Sequence, residues 1–150
     1  MAAPLPVVYE PPPMFETMLV HFPQIPRMRP IFCSGEKIYN PYRIKVTPSL
    51  QAHEQVHSFR QLSYPDTSTQ TGPELWWSRY LTDVEFRLEE ELPAHCAEYG
   101  WYIVHHNNRR NRRRALAAIA GKLAHPLYGV CIPKRKVMEM IKQNACAVEA

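Results

Sequence analysis

At 150 residues the chain is the size of one domain, and at 45% hydrophobic and 21% charged it has the means to bury a core. That composition excludes a disordered acidic or basic tail, and no run of apolar residues is long enough to cross a membrane. The net charge of +4 is local: five arginines lie in the hexapeptide 109–114, and without them the chain stands at −1.

The first residues, Met1-Ala2-Ala3-Pro4-Leu5-Pro6, lack a positive segment followed by an apolar one, so no secretory signal is expected. Eight prolines fall in residues 1–30, including Pro11-Pro12-Pro13. That density argues against a regular helix or a central strand. It predicts an extended, Pro-rich arm over 1–30 that wraps the domain or docks on a partner. Only Met14–Val20 has the apolar content for a strand or a helical turn.

One domain is expected over 31–150. It starts with a small β element over 31–46: Ile31-Phe32-Cys33, a turn at Ser34–Lys37, then Ile38-Tyr39. Tyr42-Arg43-Ile44-Lys45-Val46 follows and alternates with period two. Thr47-Pro48 is a helix start, with Thr as cap and Pro at the first helical position. The helix it opens runs over about 48–62, with Val56 and Phe59 expected against the core. Tyr64–Pro73 is a polar, breaker-rich loop. A helical region over about 75–106 comes next, interrupted at Pro93. The arginine run leads into an alanine-rich helix over about 112–124, and an amphipathic helix over about 134–144 closes the chain. The class is α+β, mainly helical. Cys33, Cys96, Cys131 and Cys146 form no CxxC pair and are expected to be reduced, mostly buried thiols.

The residues with the most chemical content are His53-Glu54-Gln55-Val56-His57, an HExxH motif. Two histidines four apart on a helix differ by only about 40° in direction, so both imidazoles reach one Zn²⁺. Glu54 then sits where a carboxylate takes a proton from a water activated by the metal. A third ligand is needed. Glu91, His95 and Glu98 fall at i, i+4 and i+7 of a later helix and share one face. Glu91 is the first choice, because two histidines and a carboxylate make a catalytic zinc set. His95 and Glu98 are alternative ligands or supports behind the ligands. Ala94 is small enough for the two helices to approach. The plain alternative for Glu89, Glu90 and Glu91 is a solvated acidic face. His105, His106, Tyr64, Tyr80 and Tyr99 are all candidates for an oxyanion donor.

His53–His57 followed by Glu91-Leu92-Pro93-Ala94-His95 resembles the gluzincin metallopeptidases in minimal form. The order of Ile38-Tyr39-Asn40-Pro41, Val46-Thr47-Pro48, the HExxH with Arg60-Gln61, Glu91 and Leu123–Gly129 is similar to short HExxH proteins of tailed bacteriophages and prophages. The resemblance implies a zincin-like fold over about 31–130, His53, His57 and Glu91 as zinc ligands, and Glu54 as catalytic base. It also implies a location in the host cytoplasm or in a virion. The chain departs from the pattern at Pro93 and at His95, where such families often carry Asp or Tyr.

Two readings of function stand. One is a zinc metallopeptidase acting on a protein or peptide. The other is a virion or assembly component of the same fold, with zinc as a staple or absent, that meets its neighbours through the Pro-rich arm. Trp76, Trp77, Tyr80 and Phe86, at helical spacing, are core or a docking surface. Arg109, Arg110, Arg112, Arg113 and Arg114 are a polyanion contact, a solvated helix end or a contact to an acidic protein. Nucleic acid is the weaker of the partner readings, and no membrane is expected.

Overall fold

The computed structural model describes the backbone of residues 3–149 and the side chains of residues 3–145. The described residues are mainly helical, with one small sheet. The sheet has the order β1-β3-β2, built from Val7–Val8 (β1), Phe32–Ser34 (β2) and Lys37–Tyr39 (β3). β2 and β3 are the antiparallel pair read around Gly35, whose φ of 63° suits a tight turn. β1 runs parallel to β3, with Val7 opposite Ile38.

The N-terminal 30 residues are more structured than their prolines suggest. Beside β1 they hold two short helices, α1 (Phe15–His21) and α2 (Ile25–Met28). Pro26 sits in the first turn of α2, where its missing N–H is harmless. Met18 and Ile25 are buried with Phe32, Trp76 and Trp77, so the segment is part of the domain's core.

Tyr42–Val46 forms no strand, against expectation. Asn40 closes that segment on itself: its amide donates to the Ile44 carbonyl at 2.8 Å and its Oδ1 accepts from the Ile44 N–H at 3.0 Å. Those local bonds replace a ladder.

The next helix, α3 (Pro48–Leu62), is capped by Thr47, whose hydroxyl accepts from Leu50 N–H at 3.3 Å. Its inner face is polar: Ser49, His53, Glu54, His57, Ser58 and Gln61 are buried. Phe59 is 75% exposed and Val56 only half-buried, which reverses the anchoring expected of them.

The helical region after the loop breaks at Asp83, not at Pro93. α4 (Gly72–Thr82) opens with a capping box between Thr71 and Glu74. α5 (Val84–His105) opens with Asp83 accepting from Phe86 N–H at 3.1 Å, and it runs through Pro93. Glu89, whose carbonyl loses its amide donor at Pro93, is solvent-exposed, so water can take the bond. α6 (Arg109–Leu123), a short 3₁₀ turn (Pro126–Tyr128) and α7 (Lys134–Glu149) complete the chain. α5, α6 and α7 enclose a second apolar cluster that includes Tyr99, Ile119, Leu123 and Ile141. α3 contributes to neither cluster and packs along α5, in which Ala94 is fully buried.

A Cβ on Gly72 would lie 2.1 Å from the Tyr64 carbonyl oxygen. Gly72→Ala is therefore expected to cost about 2–3 kcal/mol, a fall of about 5–10 °C in a thermal melt. Cys33 and Cys96 are buried free thiols and Cys131 is an exposed one, while Cys146 lies outside the described side chains. Among the described residues no helix is long and apolar enough to cross a membrane.

Candidate metal centre

α3 turns His53 and His57 to one side, and their Nε2 atoms lie 3.2 Å apart. α5 brings Glu91 against them, with Oε2 at 3.4 Å from each Nε2. A tetrahedral zinc ion with bonds of about 2.0–2.1 Å holds its ligand atoms about 3.3–3.4 Å apart. The three atoms thus outline one face of such a tetrahedron. Hydrogen bonding alone accounts for them poorly. Two facing imidazole nitrogens share one proton at most, and Glu91 Oε2 is buried with no hydrogen-bond partner. All three residues are buried, and together they are able to hold a metal ion.

The surrounding side chains hold this triangle in place. Tyr80 on α4 donates its hydroxyl to Glu91 Oε1, leaving Oε2 free. His53 Nδ1 donates to Glu98 Oε1 at 3.0 Å, and Lys122 on α6 donates to Glu98 Oε2 at 2.5 Å. That chain puts the proton of neutral His53 on Nδ1 and its lone pair on Nε2, toward the centre. His95 Nδ1 donates to the Glu91 backbone carbonyl at 2.7 Å, and its ring centroid lies 4.6 Å from that of His53. His57 Nδ1 and His95 Nε2 are buried without a hydrogen-bond partner.

Electrostatics follow the same arrangement. Burial works against the Glu91 carboxylate, yet His57 and His53 hold its pKa well below the usual range. Burial also opposes ionisation of Glu98, while His53 and Lys122 bring it down to about 2. Burial opposes charge on His53, but Glu91 and Glu98 raise it to about 10, so the centre attracts positive charge. Burial lowers His95 to about 4, aided by His53, and keeps it neutral. Glu54 is raised, chiefly by burial, with His53 and His57 pulling the other way. Burial pushes Tyr80 and Tyr128 well up, so both phenols stay protonated donors.

A cavity of about 100 Å³ adjoins the triangle. Glu54, His53, His57 and Glu91 form its polar side, and Met18, Phe22, Phe32 and Trp77 its apolar side. Tyr128 and Leu127, from the 3₁₀ turn, complete the wall.

The acidic run divides three ways. Glu89 is solvated and Glu91 faces the histidines. Glu90 is buried, paired with Arg60 at 2.7 and 2.9 Å and with Trp76 Nε1 at 2.9 Å. Of the candidate oxyanion donors, Tyr80 is engaged by Glu91. Tyr64 packs on Phe86, and Tyr99 lies in the α5–α7 core. His105 is an exposed residue at the end of α5, stacked on Trp101 at 4.3 Å, and His106 stacks on Tyr102 at 5.2 Å. Trp76, Trp77, Tyr80 and Phe86 are core.

Two residues escaped the sequence reading. Tyr128 gave only the signal of a tyrosine within Leu127-Tyr128-Gly129. Arg87 gave none. Its buried guanidinium donates to the carbonyls of Tyr80 (3.0 Å), Leu81 (3.2 Å) and Tyr128 (2.7 Å), tying both tyrosines to α5.

Tyr80→Phe removes the donor that orients Glu91. It is expected to weaken binding of a metal ion at this centre about 10–100-fold, measured by competition with a chromophoric chelator. No family model, no curated protein and no solved structure matches this chain. The centre is therefore read from its own geometry.

Proposed function

We propose that this chain is a zinc-dependent metallopeptidase, a minimal gluzincin-like domain akin to the short HExxH proteins of tailed phages. The observation that carries this reading is the triangle of His53 Nε2, His57 Nε2 and Glu91 Oε2, with edges of 3.2, 3.4 and 3.4 Å. A structural zinc site is closed by four protein ligands, whereas a catalytic one keeps a position open. Three ligands beside a cavity fit the catalytic kind. That favours an enzyme over a staple in a virion component.

Bound zinc supplies Lewis acidity, which acidifies water and polarises a substrate carbonyl. The rest falls to the chain. Glu54, on the cavity wall and with a pKa raised by burial, accepts a proton from the attacking water and returns it to the leaving amine. Tyr128 offers a protonated hydroxyl to the developing oxyanion. Glu98 and Lys122 hold His53, and Tyr80 holds Glu91, so the ligands are positioned beforehand. The substrate class is a peptide or protein. The free thiols fit a reducing setting such as a host cytoplasm, and a virion location remains part of the resemblance. The test is zinc content together with peptide hydrolysis in the parent and in Glu54→Gln. Hydrolysis at the parental rate by the variant would overturn the role of Glu54, and absence of zinc would overturn the whole reading.

A further inference from the structure

Charge is distributed very unevenly along this chain. Residues 107–145 carry ten Lys and Arg against one acid, Glu139, while the rest carries eight against thirteen. α6 and α7 bring these cations together. Arg109, Arg112 and Arg113 from α6 face Arg135 and Lys142 from α7 across a groove of about 460 Å³. A second hollow, lined by Arg109, Arg110, Arg113 and Arg114, continues it.

Local stability does not explain this arrangement. Cations in the first turn of a helix oppose its dipole, and α6 has no acid there. Arg109 with Arg113 and Arg110 with Arg114 are like-charge pairs at i and i+4, which destabilise a helix. Among the described residues, no ion pair neutralises Arg109, Arg110, Arg112, Arg113, Arg114, Arg135 or Lys142. None of the exposed large hydrophobic residues lies on α6 or α7. A protein partner would be expected to use exposed aromatic or aliphatic anchors. The groove's lining does include Tyr99, Leu116 and Met138, but these are buried or half-buried, and Glu139 is its one acid, so what this surface exposes is mainly cationic. It offers a row of guanidinium and ammonium groups, the chemistry that meets a phosphodiester backbone.

We propose that the α6–α7 groove binds the phosphate backbone of nucleic acid without reading its sequence. This surface stands apart from the metal centre, and neither inference depends on the other.

The test uses the full chain, a fluorescein-labelled 20-base-pair duplex of random sequence and anisotropy titrations at 50–200 mM salt. Five groove cations on phosphates predict a log–log salt slope of about −4.5, a loss of roughly 500-fold in affinity across that range. The triple variant Arg109→Gln, Arg113→Gln, Arg135→Gln is expected to bind at least about tenfold more weakly and to flatten the slope to about −2. Arg27→Gln with Lys37→Gln and Lys45→Gln, exposed on the N-terminal part, is the charge-matched control and is expected to leave binding unchanged. Circular dichroism checks that the triple variant is folded, and removing repelling charges favours that. The parental slope stands as evidence independently of any variant. Absence of duplex binding at 50 mM salt would overturn the proposal. So would an unchanged triple variant, or equal affinity for poly-glutamate.

Discussion

Purified protein is expected to carry about one zinc ion per chain by mass spectrometry, and His57→Ala and Glu91→Ala are each expected to lose it. His57 and Glu91 lie on different helices, so a result in both variants tests the tertiary triangle and not only the HExxH spacing. The loss should exceed the about 10–100-fold weakening expected of Tyr80→Phe, because a bonded atom is removed and not only its support. Stability should follow the metal. Zinc at 100 times its Kd adds about 2.7 kcal/mol. Chelation by EDTA is thus expected to lower the melting temperature by about 5–10 °C. The physical reason lies in α3, whose buried face carries two histidines and a glutamate where helices usually carry aliphatic residues. Burying those groups costs free energy unless something satisfies them. If the parent stays free of zinc after reconstitution, the triangle is an ion-pair network and the enzymatic reading fails.

Glu54→Gln is expected to lower kcat by about 10²–10⁴-fold with zinc content unchanged. The amide keeps the size of the side chain and removes the proton acceptor. Burial raises the Glu54 pKa, so the ionised form is disfavoured where it sits. A neutral amide avoids that penalty, and the melting temperature should stay level or rise. That combination separates catalysis from structure: a structural glutamate would lose stability on substitution and leave turnover of the folded fraction intact. Full activity in the variant would show that Glu54 is not the base.

Residue types and spacings acting within one or two turns were legible from the chain alone. Thr47-Pro48 marks the start of α3, and the structure begins that helix at Pro48. The β2–β3 pair is as local, closed by a two-residue turn at Gly35. The spacing of His53 and His57 needs nothing beyond the pitch of a helix.

Tertiary contacts decided the rest. Tyr42–Val46 has the alternation of a strand but no neighbour to pair with, and Asn40 takes its backbone groups instead. Proline content predicted an arm, yet Met18 and Ile25 find apolar partners on β2 and α4 and fold into the core. Pro93 looked like a break because it removes one hydrogen bond. The packing of α5 against α3, α6 and α7 outweighs that loss, and Asp83 makes the real break by capping. The roles of Glu91, His95 and Glu98 were open for the same reason. They share one helical face, and the sequence orders them only along that face. Where α5 crosses α3 settles which carboxylate meets both imidazoles, which one backs His53, and which ring lies against that of His53. A crossing point is set by side chains from distant parts of the chain packing together, so no local pattern records it.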